Sequence, residues 1–156
     1  MELVASSKMK KAQDQALAGR AYAGVVNTIL AHLSQDETEL DEFPLLKVRE
    51  VNREICIVIS SDKGLCGGLN SNLMRSVLED SSDITSFVTI GSKGRSALAL
   101  AQKDLIADFP VNDPVTFKEI SSVAKFVIEK FEAGEVDRVR VAFTNFVNTL
   151  SQKPWI

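Results

Sequence analysis

Cysteine and histidine are scarce. The chain has two cysteines and one histidine in 156 residues. Cys56 and Cys66 are too few for a disulfide scaffold, and their spacing matches neither a zinc knuckle nor a redox pair. A reducing, intracellular setting is the simple expectation. His32 is the one histidine and cannot make a metal site with the carboxylates on offer, and no convincing pairing with a Ser or Cys for nucleophilic catalysis is evident. No activating base is evident for either thiol. No stretch approaches the ~18 apolar residues of a membrane span. Met1-Glu2-Leu3-Val4 lacks the basic and apolar regions of a secretory signal. An excess of positive charge is also missing. Eighteen basic against 21 acidic residues leave a net charge of −3, which argues against a general nucleic-acid binder.

What is present is globular: 45% hydrophobic and 25% charged residues, enough for one ordinary domain with a core of its own. Residues 1–34 contain no proline and read as one long helix, about 50 Å at 1.5 Å per residue. Tyr22, Val25, Val26, Ile29, Leu30 and Leu33 recur at spacings of three and four. The first half carries small residues instead, Ala5, Ala12, Ala16 and Ala21, among Leu3, Met9 and Leu17. A helix so long, and bearing Gly19 and Gly24, calls for a partner to pack on. Residues 35–50 follow as an acidic linker rich in Asp and Glu and broken by Pro44.

From about residue 51 the pattern alternates. Glu54–Ser60 is a near-continuous apolar run, as expected of a strand buried on both faces. Glycines 64, 67 and 68 lead to Asn70-Ser71-Asn72, a plausible helix N-cap, with a helix from about Ser71 to Glu79. Ser86–Ile90 reads as a strand, Gly91–Gly94 as a turn into a helix through Leu98 and Ala101, and Leu105–Phe109 as a short strand. Glu119–Phe131 is an amphipathic helix closed by Gly134, and Arg138–Phe146 is the last strand. This order predicts a small α/β domain over 51–156: a doubly wound, mostly parallel, Rossmann-like sheet, with the long helix attached in front.

The segment Ser60–Asn70 carries the strongest local signal, because ligands of open α/β sheets sit where a strand ends and a helix begins. A glycine-rich turn there can cradle phosphate. The spacing G-x-x-G-G, however, is neither G-x-G-x-x-G nor a Walker loop. The plain reading is a tight glycine turn that needs positive φ or close backbone approach, and a third is an exposed loop used against a protein partner. Gly91-Ser92-Lys93-Gly94 is a second such turn. Lys8, Lys10 and Lys11 form a basic cluster on the long helix. They read either as a solvated face or as complementary to an acidic protein surface.

Three segments resemble one family. Met1–Gln13 is similar to the N-terminal helix of the gamma subunit of F-type ATP synthases. Ser61–Asn70 resembles its glycine loop, and Phe143–Pro154, with Asn-Thr-Leu-Ser-Gln-x-Pro, its strand-end motif. The resemblance covers the whole chain. It implies a non-catalytic rotor: a central stalk inside a ring of alpha and beta subunits, coupling proton (or sodium) translocation to ATP synthesis on beta. The first helix would be half of an antiparallel coiled coil, and the α/β domain would stand against epsilon and the ring of c subunits. No cofactor, metal or nucleic acid is implied, and the membrane is met only through the complex, on the cytoplasmic face of a bacterial inner membrane or its organellar counterpart.

Carried over by position, Met1 matches the coupling contact with beta, and Lys8, Lys10 and Lys11 the basic positions near beta's acidic lever loop. Lys63, Gly64, Cys66, Gly67 and Gly68 match the loop facing beta and epsilon. Family members extend about twenty residues before Met1 and well past Ile156, so the chain is expected to be a fragment truncated at both ends. Two rival readings remain open on the residues alone. One is a nucleotide- or flavin-binding domain using Gly64–Asn70. The other is a module that self-associates through the stripe of residues 1–18.

Overall fold

The computed structural model describes residues 2–33, 44–46, 49–112 and 114–156. The chain divides into two compact units, Met1–Lys47 and Val48–Ile156. In the first, helix α1 (Glu2–Leu33) is continuous for 32 residues, and a 3-10 turn follows at Pro44–Leu46. Tyr22, Val25, Ile29 and Leu30 are all exposed, as are Met9 and Leu17. Among the described residues, a methyl on Gly19 or Gly24 would meet no atom within 4 Å outside its own stretch of helix. The acidic stretch around residues 35–42 lies outside the described residues.

The second unit is a five-stranded sheet in the order β3-β2-β1-β4-β5. Its elements are β1 (Glu54–Ile59), α2 (Leu69–Asp80), β2 (Thr85–Ile90), α3 (Ser92–Leu100), β3 (Leu105–Phe109), α4 (Phe117–Glu132), β4 (Arg138–Asn148) and β5 (Ser151–Trp155). Strand β1 pairs in parallel with β2 and β4, and β2 with β3. The apolar run of β1 is buried because both its faces are covered. Cys56 and Val58 point into one cluster with Leu73, Met74 and Val77 of α2 and Leu98 of α3. Ile55 and Ile57 point into the other, with Val123 and Val127 of α4. Alternate residues thus serve opposite layers, as the two-residue period of a strand requires. Cys56 is a core residue, and burial pushes its thiol up to about 11.

The sheet's far end is fixed by charge. Glu54, buried at the start of β1, accepts from Thr85 Oγ1 at 3.2 Å and pairs with Arg138 and with Arg140 at 2.7 Å. Arg140 also pairs with Asp80 at the end of α2, and these bonds, led by the one to Glu54, raise its pKa. The entry into β1 is tied down too. Asp137 accepts from the Asn52 and Arg53 amides at 3.0 and 2.9 Å, which holds its carboxyl below the usual range. Helix α4 starts with a capping box in which Thr116 and Glu119 bond each other reciprocally.

Two expectations need correcting. Helix α2 begins at Leu69 behind Gly68, so Asn70 is inside the first turn, and no side chain caps that end. The chain also contains a strand that periodicity did not reveal. Strand β4 runs past the end of β1 and turns at Thr149-Leu150 into β5, which pairs antiparallel with it, Phe143 opposite Trp155 and Asn145 opposite Lys153. The sequence Ser-Gln-Lys-Pro is polar and contains a proline, which an edge strand tolerates and an inner one does not.

Candidate functional site

The order of strands places a topological switch between β1 and β4, and the glycine loop leaves from the carboxyl end of β1 at that point. A crevice of about 380 Å³ opens there, lined by Ile59, Ser60, Ser61, Leu69 and Asn70 on one side and Phe143, Thr144, Phe146 and Gln152 on the other. The β4–β5 hairpin supplies that second wall. In an open sheet without such a hairpin this would be the mouth of a mononucleotide site.

The chain's own groups already occupy the donors a phosphate would use at the neighbouring helix. At the N-terminus of α3, Ser92 N donates to the Asp62 carboxylate at 2.8 Å, Lys93 N to Ser61 O at 3.2 Å, and Gly94 N to Ser60 Oγ at 2.7 Å. An internal carboxylate thus sits where an anion would bind. The approach of the two loops is close. Gly91 has φ +102°, and a Cβ there would lie 2.1 Å from Ser60 O. The Gly91–Gly94 turn is therefore a clamp on the glycine loop, and its glycines are there for contact.

Within the loop, Asn70 is the organiser that sequence reading had taken for a cap. Its Oδ1 accepts from Ser61 N at 3.2 Å, and its Nδ2 donates to Ser61 Oγ at 2.8 Å and to Cys66 Sγ at 3.2 Å. Ser61 Oγ in turn donates to Lys63 O at 2.7 Å. Leu65 and Gly67 both take φ +60°. Lys63, Gly64, Cys66, Gly67 and Gly68 are brought together as one exposed, hydrogen-bonded loop. Lys8, Lys10 and Lys11 are exposed on α1, with Lys10 and Lys11 beside Ser7, Asp14, Gln15 and Ala18. They belong to the other unit, and Met1 lies outside the described residues.

Among the described residues, no group of three or more His, Cys, Asp or Glu could hold a metal ion, and no helix is long and apolar enough to cross a membrane. The arrangement offers a shaped, basic-edged loop surface.

Known proteins match this chain along its whole length. A family profile described as ATP synthase covers residues 1–156. The ATP synthase gamma chain of Opitutus terrae is 44% identical over 156 residues, all of this chain and 52% of that one. That of Akkermansia muciniphila is 42% identical over 154 residues, 99% of this chain and again 52% of its own. The chain spans about half the length of the curated relatives it matches. Among solved structures, the central stalk and c-ring of the Tetrahymena thermophila mitochondrial ATP synthase contain a chain that superposes with a TM-score of 0.76 at 28% identity, covering 98% of this chain and 67% of that one. A chain of the Euglena gracilis mitochondrial enzyme shares the fold, with a TM-score of 0.57 at 19% identity.

Proposed function

From the premise that this chain belongs to the ATP synthase family, we propose that it acts as the corresponding part of a gamma, central-stalk subunit, a rotor element without catalytic chemistry of its own. The observation that carries the reading is the whole-length match to gamma chains, joined to the central-stalk superposition. In this role α1 is one strand of an antiparallel coiled coil within a ring of alpha and beta subunits. The α/β unit stands toward epsilon and the c-subunit ring. Ion translocation turns the stalk, and the stalk drives ATP synthesis on beta. The complex sits at a membrane that this chain meets only through its partners, on the cytoplasmic face in a bacterium.

The contact residues of the proposal are Met1, Lys8, Lys10 and Lys11 on the helix and Lys63, Gly64, Cys66, Gly67 and Gly68 on the loop. The physical logic is that of many modest contacts. Exposed cations on a helix face and a loop attract acidic segments that sweep past, and each exposed pair contributes only about 0–1 kcal/mol. Torque passes without any one contact locking. The exposed stripe of α1 supports the coiled-coil assignment, since a helix with Tyr22, Val25 and Ile29 outward requires a second helix to cover them.

The test is reconstitution. The complete subunit carrying this segment is added to a gamma-free ring of alpha and beta subunits, and ATP-driven rotation is followed on single particles. Rotation restored by the parent and slowed by Lys8, Lys10 and Lys11 changed together to alanine is the expected result. A subunit that never enters the ring sinks the proposal.

A further inference from the structure

We propose that Leu65 is the apolar anchor of the glycine-loop surface, that Lys93 is its second cation, and that the partner is an acidic segment offering an apolar cleft. The inference rests on the reading of this loop as a subunit contact, and it adds two residues which that reading does not name.

Leu65 is placed unfavourably on two counts. Its φ of +60° is a conformation that suits glycine and is disfavoured for a residue with a β-carbon. Its side chain is also fully exposed, so burial does not offset the strain. A glycine at this position would serve the fold better. Backbone strain of this kind persists only when the surroundings over-determine it. Here they do: Asn70 holds Ser61 and Cys66, Ser61 holds Lys63, and Asp62 is bonded to α3 through both its carboxylate and its carbonyl, the latter accepting from Ser92 Oγ at 2.9 Å. The loop is therefore pre-organised, and ordering it costs little on binding. A large apolar side chain displayed on a rigid tip can fill a partner's cleft with little ordering cost.

The charge around the tip selects the partner. Lys93 lies on the first turn of α3 with its side chain over Gly64: a methyl on Gly64 would be 3.7 Å from its Cε and 3.9 Å from its Nζ. Lys63 is the residue before that glycine. Neither lysine makes an ion pair among the described residues, whereas the nearby Asp62 carboxylate is engaged by Ser92 N. Lys63 and Lys93 outnumber Asp62 at the apolar tip, and this local excess of positive charge points to an acidic counterpart.

The test uses the complete subunit bound to its ring of alpha and beta subunits, with dissociation measured at several salt concentrations. For Leu65→Gly the expected result is about a tenfold weaker complex, with a melting temperature equal to or above the parent's. Leu65→Met keeps the bulk and retains binding. Lys93→Gln weakens binding several-fold with a flatter salt dependence, and Lys93→Glu weakens it further. Parent-like binding by Leu65→Gly overturns the anchor, and so does a lower melting temperature, which would make the leucine a structural residue. Unchanged binding by Lys93→Glu overturns the acidic partner. In each of these cases the parent still binds and the rotor reading stands. A parent that does not bind overturns both.

Discussion

Helix α1 presents Tyr22, Val25, Ile29 and Leu30 at helical spacing, and all four are exposed. Strand β1 presents Ile55, Cys56, Ile57 and Val58 in succession, and all four are buried. By pattern the two segments are equally convincing apolar elements. The difference is supply. Strand β1 finds both of its covering layers, α2 with α3 and then α4, within the following eighty residues. The second unit contains what its strands need, while α1 displays a stripe that nothing described in its own unit covers. An isolated helix takes little stability from propensity and most of it from packing, so α1 is the part of this chain whose energetics depend on assembly.

The contrast can be broken most forcefully at its buried end. Phe87→Ala empties the most voluminous fully buried side chain of the core, and we expect a loss of about 4 kcal/mol, read from the urea midpoint. A loss below 1 kcal/mol would mean that the core is looser than its burial implies. Next, Gly91→Ala forces a Cβ against Ser60 O at a φ of +102°, with an expected cost of about 3 kcal/mol and faster hydrogen exchange at Ser60–Asp62. Retention of parent stability would show that the two loops can separate freely.

Smaller effects sharpen the comparison. Thr116→Ala removes the N-cap of α4 and should cost about 1 kcal/mol. Its partner Glu119 has its pKa lowered from the ordinary 4.5 to about 2, chiefly by the hydrogen bond from the Thr116 side chain. A depressed carboxyl contributes fully above its ordinary pKa and loses that contribution as pH falls through the folded value. Acid titration of thermal stability in the parent should therefore show a decline between about pH 4.5 and 2 that Glu119→Gln flattens. The smallest effect belongs to the helix. Val25→Ser should change the stability of this chain by less than about 0.5 kcal/mol, because the side chain is already exposed. The same change should become costly once a second helix covers the stripe. Equal effects in both settings would end the distinction between the two regions.

Much of the fold was legible because it is written in local periods. Among the described residues, β1 to β4 and α1 to α4 lie within a few residues of where apolar runs, three-four spacing and turn residues put them. The fifth strand was not legible: Ser151–Trp155 has no apolar period and includes Pro154, and it becomes a strand only because the overhang of β4 offers it an edge. The candidate loop was found from its glycines. Its organising residue was misread, because a polar residue before a helix looks the same whether it caps the helix or braces a loop, and Asn70 braces Ser61 and Cys66. Lys93 was assigned only to a turn, since its position over Gly64 joins residues nearly thirty apart in sequence.

The amino-acid sequence by itself determined the four helices and the strands β1 to β4, the alternation that makes the sheet mostly parallel, and the motifs that resemble the gamma subunit. Those are properties of short segments, set by backbone sterics and side-chain period. Tertiary structure decided the rest. It turned the Gly91–Gly94 turn into a clamp, filled the end of α3 with Asp62, and held Leu65 outward in a left-handed conformation. These depend on which loops meet at the carboxyl edge of the sheet, and that meeting is fixed by strand order, which no local pattern encodes.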